Sequence, residues 1–356
     1  MEEYMNIDNI KLDEDNRCFI IAELSANHGN DINIAKRTIK AAKESGADAI
    51  KIQTYTPDTM TIDCDNEYFK INQDTIWDGR YLYDLYKEAY TPWEWQMELK
   101  EYANNIGLVF FSTPFDKSSV DFLETMNVPA YKIASFEITD IPLIEYIASK
   151  QRPVIISTGI ATIDDIHEAV NACRRMNNNN IVLLKCTSSY PAKLEDSNLK
   201  TIADLKEKFN VIVGLSDHSI DIEVSLAAIG LGAKVIEKHF ILDRDIGGPD
   251  SLFSLEPNQF REMVEGVRKI EKAIGKVDYE LDEKKIKNRE LSRSLFIVED
   301  MEVGDRFTSD NIKSIRPGFG LHPKYYNQII GKTVNCSVKR GTPLSFDLIN
   351  VKEGEI

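Results

Sequence analysis

Two histidines raise the first question. His218 closes the apolar run VIVGLSDH and His239 closes the next such run, VIEKH, in a chain with only five histidines. Neutral imidazoles on neighbouring strand ends, with a carboxylate close by, suit a divalent metal that keeps open positions for substrate. A histidine at a strand end is also often a hydrogen-bonded structural group, and the spacing alone leaves both readings open. The other strand-like runs end on groups of complementary chemistry. Glu23 closes the first. Lys51 and Gln53 share one face of the second by the two-residue period of a strand. Ser112, Thr113 and Asp116 follow the third, Lys132, Ser135 and Glu137 the fourth, and Ser157 the fifth. Lys185 and then TSSY follow the sixth, Ser216 and Asp217 precede His218, and Glu237 and Lys238 precede His239. Lysines turned into a protein are costly unless an anion meets them, and hydroxyls beside them supply donors. The set therefore has the chemistry of a phosphate or carboxylate pocket. Taken singly, a strand-end lysine is usually solvated, and Ser-Thr-Gly after a strand is often only a turn and helix cap. Recurrence at one level of all eight runs is what favours a site.

The elements that must position these groups alternate. Strand-like runs are expected at 18–24, 49–54, 108–113, 130–135, 153–158, 181–187, 211–216 and 234–240. Helical patterns such as NIAKRTIKAAKESG and DDIHEAVNACRRM lie between them, several stopping at glycine. Eight β-α units over this length predict a TIM (β/α)8 barrel, whose active site lies at the C-terminal ends of the strands. An open doubly wound sheet is the competing reading, but no G-x-G-x-x-G follows the first strand. The long aromatic stretch 55–106, with Trp77, Trp93 and Trp95, is expected to be an insertion on the catalytic face. After a charged linker at 278–293 the pattern shifts to short strands and turns. The expected organisation is a barrel over 1–277 and a small C-terminal β-rich domain over 294–356, where Pro317, Gly318 and Gly320 mark an ordered turn directly after Arg316.

Bulk composition narrows the partners. The 356 residues carry a formal charge of −15, so most of the surface repels nucleic acid and anionic membranes. No run of apolar residues is long enough for a membrane span, and the acidic segment MEEYMNIDNIKLDEDNR lacks a signal peptide's apolar core. Five scattered cysteines without a C-x-x-C fit a reducing cytoplasm and argue against a disulfide framework or structural zinc.

Longer motifs carry a resemblance. IIAELSANHGN, GADAIKIQTYTPDT, FSTPFD, PAYKIASFEITDIPLI, ISTGIAT, LLKCTSSYP, GLSDHS, VIEKHF and GPDSLFSLEP resemble, in order and over nearly the whole chain, the sialic acid synthase family. The C-terminal segment resembles that family's antifreeze-like (SAF) domain. AELSANH, QTYTPDT and LYDLYKEAYTPWEW resemble its pseudaminic acid branch more than its N-acetylneuraminate or legionaminate branches. The resemblance implies condensation of phosphoenolpyruvate with the aldehyde of an amino sugar, dependent on Mn²⁺ or Mg²⁺. By motif match it places Lys51, Thr113, Lys132, Ser135, Ser157 and Ser216 on phosphoenolpyruvate. Ser188 stands where the family often has asparagine. It further implies His218 and His239 as metal ligands, Glu23 as the group that activates water, and Gln53, Glu137, Tyr190 and Asp250 at the sugar. Arg316 would reach the barrel mouth of a partner in a domain-swapped homodimer. A pyruvate aldolase would need no phosphate pocket. A non-catalytic carbohydrate-binding protein would not need Glu23 with both histidines.

Overall fold

The computed structural model describes residues 5–13, 17–72 and 75–350. The acidic segment 1–17 and the end of the 294–356 domain fall partly outside these residues. Two compact units divide the chain, Met1–Gly275 and Lys276–Ile356.

In the first unit the β-branched runs form the strands expected of them. After a short hairpin, β1 Met5–Ile7 and β2 Ile10–Leu12, come β3 Phe19–Glu23, β4 Ala49–Thr54, β5 Val109–Pro114 and β6 Tyr131–Ile133. They continue as β7 Val154–Ser157, β8 Ile181–Cys186, β9 Ile212–Asp217 and β10 Val235–His239. All eight from β3 onward are parallel, and β10 pairs with both β9 and β3, closing a barrel. Closure excludes the open doubly wound sheet. Strands enclosed by the barrel interior on one face and helices on the other must be apolar throughout, and Ile20, Ile50, Phe110, Ile155, Leu183 and Ile236 are all buried.

The structure corrects two smaller expectations. The stretch 55–106 is not one catalytic-face loop, because its last part is the ordinary barrel helix Trp93–Asn105 leading into β5. Its earlier part holds two short helices, Pro57–Met60 and Leu82–Ala89. Asp116 is no site group: it caps the helix Lys117–Thr125, accepting from Ser118 N and Ser119 N at 2.7 and 3.2 Å. The hairpin β1–β2 was not legible in the sequence. Its Met5, Ile7 and Leu12 join the barrel's apolar cluster.

The second unit begins with the helix Glu283–Arg289 and then forms four short strands, β11 Ser294–Ile297, β12 Ile312–Ile315, β13 Thr333–Val334 and β14 Ile349–Asn350, paired two by two. Leu295, Ile297, Phe307, Ile312, Val334 and Leu344 make its own core. The turn after Arg316 is pressed against backbone. A Cβ on Gly318 would lie 2.5 Å from the Arg289 carbonyl, and one on Gly320 would lie 2.1 Å from the Leu295 carbonyl. Arg316 and Phe319 are exposed on this packed turn.

Candidate active site

Parallel register brings the strand ends to one level, and alternation turns every second side chain inward. Glu23 stands opposite Lys51 of β4 and His239 of β10. Lys51 Nζ lies 2.6 Å from Glu23 Oε2 and 3.7 Å from Glu237 Oε1, and donates to Thr113 Oγ1 at 3.0 Å. Gln53, two residues further, donates to Ser25 Oγ at 2.8 Å and Glu23 Oε1 at 3.3 Å. Lys132, from β6, donates to Ser157 Oγ at 2.7 Å and the Ile133 carbonyl at 2.9 Å. It is 2 % exposed, yet among the described residues no carboxylate is close enough to form an ion pair with it. Ser216 leans on Glu237 at 3.4 Å.

The other hydroxyls converge beside Lys132 because Gly159 lacks a side chain. Its N–H donates to Ser135 Oγ at 3.0 Å, and a Cβ there would stand 2.1 Å from Ser188 Oγ and 2.8 Å from Ser135 Oγ. The Ser-Thr-Gly motif thus does more than turn the chain. Ser188 is nevertheless set back from the pocket wall, 3.9 Å from Cys186 Sγ. Tyr190 packs its ring 4.3 Å from that of His218, and Phe253 lies 4.9 Å from His239. Trp77 rests on Tyr190 at 5.4 Å, held by an indole N–H bond of 3.0 Å to the Pro249 carbonyl. Asp250 stands behind His239, Oδ2 to Nδ1 3.9 Å. Glu137 is also set back, on the short turn Ser135–Glu137. Arg316 belongs to the second unit.

Burial and charge divide the titrating groups. Burial raises Glu23 to about 7, although Lys51 pulls the other way. Burial likewise raises Glu137 to about 7 against Lys132. Burial pushes Glu237 up, but Lys132 and Lys51 together hold it below the usual carboxylate value. Burial lowers Lys51, and Glu23 with Glu237 more than reverses this. At Lys132 burial wins over Glu237 and the pKa falls. Burial, then the neighbouring charge of His218, drives His239 far down, so it is neutral.

The two histidines fit a metal as partial ligands. Among the described residues no three His, Cys, Asp or Glu side chains converge into a complete site. The rings of His218 and His239 have centroids 5.3 Å apart. His218 Nδ1 is 2.9 Å from the Thr187 carbonyl, which can only accept, so this nitrogen carries a proton, and loss of the second proton, which a cation would displace, frees the Nε2 lone pair. His239 Nδ1 and Glu237 Oε2 are buried without a hydrogen-bond partner. Two imidazole donors beside unsatisfied polar atoms suit a cation whose remaining positions are filled by substrate or water.

Sequence reasoning named Glu237 at its strand end without giving it a role, and missed Cys186 on the wall. Glu237 was within reach of the two-residue period, counted back from His239, whereas Cys186 closes β8 level with Ser216, a register that pairing sets. The same period explains why Lys185 is not a site group. It faces away, bonded to the Cys186 carbonyl at 2.5 Å and Thr187 Oγ1 at 3.2 Å. A larger cavity of about 620 Å³ lies at the opposite end of the barrel, near Asn104, Asn127, Arg152 and Asn180. That is the end of this fold associated with stability rather than chemistry.

Comparison with known proteins agrees with this geometry. Residues 38–279 match the NeuB family and residues 292–350 the SAF domain. The chain is 49% identical over 340 residues to pseudaminic acid synthase of Campylobacter jejuni, covering 96% of this chain and 98% of that one. It is 48% identical to pseudaminic acid synthase of Helicobacter pylori, covering 92% and 96%. The crystal structure of the N-acetylneuraminic acid synthetase of Leptospira borgpetersenii, in complex with citrate, superposes with a TM-score of 0.71 at 35% identity, over 80% of this chain and 94% of that one. A closed barrel with lysines, hydroxyls and paired histidines at its strand ends, matched over this length, makes the chain a member of the NeuB family carrying a C-terminal SAF domain.

Proposed function

We propose that this chain condenses phosphoenolpyruvate with the open-chain aldehyde of 2,4-diacetamido-2,4,6-trideoxy-β-L-altrose and water, giving pseudaminic acid and phosphate. The observation that carries this reading is Lys132. It is a fully buried ammonium bonded to a serine hydroxyl and a backbone carbonyl, but among the described residues to no carboxylate, and it lines the same pocket as both histidines. A cation so placed is complementary to an anion that arrives with substrate. Near-full-length likeness to two pseudaminic acid synthases supports the choice of sugar.

In this reading Lys51, Lys132 and the hydroxyls of Thr113, Ser135, Ser157 and Ser216 hold the phosphate and carboxylate of phosphoenolpyruvate, with Ser188 behind Ser135. Carbon 3 of phosphoenolpyruvate forms the new bond to the aldehyde carbon, whose oxygen takes up a proton. Water then bonds to carbon 2 and gives a proton to Glu23. The carbon–oxygen bond to phosphate then breaks as the remaining hydroxyl proton passes to the departing phosphate, leaving the ketone. Glu23 suits this step because burial has raised it to about 7, which makes it a better base than an ordinary carboxylate. A divalent metal held by His218 and His239, Mn²⁺ or Mg²⁺, supplies Lewis-acid polarisation of the aldehyde. Tyr190, Gln53, Glu137 and Asp250 orient the sugar. In the same reading Arg316 of one copy serves the barrel of another in a homodimer. Its exposure on a tightly packed turn supports that role.

The test is phosphate release from phosphoenolpyruvate against a panel of nonulosonate precursors, with mass analysis of the product. The altrose-configured sugar is expected to lead by orders of magnitude, since the wrong isomer leaves buried polar groups unpaired. Equal or better kcat/KM with N-acetylmannosamine overturns the sugar assignment. No phosphate release with any of them overturns the reaction.

A further inference from the structure

Each histidine of the pair has a charged neighbour facing the other way. Asp217 precedes His218 and Lys238 precedes His239. The period of two turns Ser216, His218, Glu237 and His239 to the pocket and these two away from it. Asp217 and Lys238 are register partners across β9 and β10. Their charges meet at 2.9 Å with side chains 1 % and 0 % exposed. The pair is fully hydrogen-bonded. Asp217 Oδ1 accepts from Ser219 N at 2.9 Å and Ser219 Oγ at 2.7 Å, and Oδ2 accepts from Ser225 Oγ at 2.7 Å. Lys238 donates to the Ser219 carbonyl at 2.5 Å, Ser219 Oγ at 3.2 Å and the Asp221 carbonyl at 3.0 Å.

Stability alone does not account for this arrangement, because an apolar pair of similar volume often holds a core as well or better. An apolar pair cannot fix direction. The ionic pair ties together the end of β9, the turn 219–221, the first turn of the helix Glu223–Gly230 through Ser225, and the end of β10. His218 lies inside that tie, between Asp217 and Ser219, and His239 follows its other anchor. Lys185, the outward lysine of β8 two residues before that level, bonds among the described residues to the Cys186 carbonyl and Thr187 Oγ1 of its own segment.

We propose that Asp217 and Lys238 are positioning residues that fix the spacing and aim of His218 and His239 for a divalent cation. This rests on the reading that the two histidines hold one. The test is Mn²⁺ binding, followed by loss of the free-ion electron paramagnetic resonance signal, in the purified full-length protein. Asp217→Asn keeps the shape but removes the charge, and is expected to weaken Mn²⁺ binding by roughly ten- to hundredfold, the usual cost of losing support behind a ligand. Asp217→Asn combined with Lys238→Met leaves no unpaired charge, so it should melt close to the wild type yet still bind Mn²⁺ at least about tenfold more weakly. Phosphoenolpyruvate binding without metal should stay within about twofold in both, because both lysines, Lys51 and Lys132, and the hydroxyls other than Ser216 sit away from β9 and β10. Wild-type Mn²⁺ affinity in the folded double variant overturns the proposal. So does a parallel fall in metal-free phosphoenolpyruvate affinity, which marks general loosening. If Asp217→Asn does not fold, the double variant and Ser225→Ala, which removes one bond to the carboxylate, carry the same comparison. A wild type that binds no Mn²⁺ overturns the metal reading itself, a result distinct from intact binding that ignores Asp217.

Discussion

Replacing Lys132 with methionine separates binding from stability, because the two site lysines are built differently. Lys51 is held by Glu23 at 2.6 Å and Glu237 at 3.7 Å, whereas Lys132 is bonded, among the described residues, only to a hydroxyl and a carbonyl. Burying a charge without a counter-charge costs stability, and a methionine of similar shape avoids that cost. Lys132→Met is therefore expected to melt close to the wild-type temperature, the relieved burial cost being set against the loss of a charge that helps hold Glu237 ionised. A charge-assisted hydrogen bond contributes about 1.5–3 kcal/mol, so phosphoenolpyruvate should bind roughly ten- to hundredfold more weakly. Thermal melts with and without ligand read both effects. At 100 times the wild-type Kd, phosphoenolpyruvate stabilises the wild type by about 2.7 kcal/mol, and thirtyfold weaker binding reduces this to about 0.9 kcal/mol. Lys51→Met is the control. It strands Glu23 and Glu237 in the interior, and breaking a buried pair costs about 3–5 kcal/mol. The pH dependence gives a further check. Burial holds Lys132 below the ordinary 10.5, so between that lowered value and 10.5 the unfolded chain binds more protons and stability rises with pH. Lys132→Met should flatten that rise. Unchanged phosphoenolpyruvate affinity with a lowered melting temperature would refute the reasoning, because Lys132 would then be a structural cation.

Other expectations follow from the same geometry. Glu23 must be ionised to accept a proton, so kcat should rise with pH through about 7, and Glu23→Gln should lower kcat by about 10²–10⁴ and abolish this limb; a limb that persists in Glu23→Gln but vanishes in Glu137→Gln would move the role to Glu137, which burial also raises to about 7. The same raised carboxyl binds more protons folded than unfolded between 4.5 and about 7, so its contribution to stability should fall as pH rises across that window, measurable by denaturation at several pH values. Chelation should abolish turnover and Mn²⁺ or Mg²⁺ should restore it, and full activity in a verified metal-free preparation counts against His218 and His239 as ligands. Arg316→Ala should lose sugar turnover while keeping phosphoenolpyruvate binding, and mixing it with His218→Ala subunits should recover activity; no recovery in verified mixed dimers means the arginine does not serve a partner's barrel.

Much of the barrel was legible because its strands are short apolar runs bounded by turns. The eight expected runs match the eight strands to within one or two residues at each end. Register followed from the same period, which is why Glu23, Lys51, Gln53, Thr113, Lys132, Ser157 and both histidines meet at one pocket. The hairpin of β1 and β2 escaped notice because three-residue strands carry too little pattern. Side-chain direction was harder to read than position. Lys185, Asp217 and Lys238 looked like strand-end site groups, and alternation sends all three away from the pocket. The role of Gly159 was also hidden, since its reason is two hydroxyls contributed by residues far apart in sequence, Ser135 and Ser188.

Charge balance within the pocket shows how so acidic a chain can still receive an anion. A formal charge of −15 spread over the surface acts weakly on a buried site, since solvent and salt screen separations beyond about 8 Å. Inside, two glutamates face two lysines, but not symmetrically. Lys51 is shared between Glu23 and Glu237, while Lys132 reaches Glu237 only through longer-range attraction. The pocket's two lysines and two glutamates are thus matched in number, yet Lys132 points at the hydroxyl of Ser157 rather than at a carboxylate. In the proposed reading an incoming phosphate and carboxylate would meet Lys132, and a cation between His218 and His239 would meet Glu237. Each ligand would then offset the charge that the other leaves uncovered. One consequence lies in the order of residues along β10, where Glu237 and His239 share the inner face and Lys238 the outer. A one-residue slip of that strand would put the lysine inside and both site groups outside, so the ion pair behind the histidines guards the register on which the whole site depends.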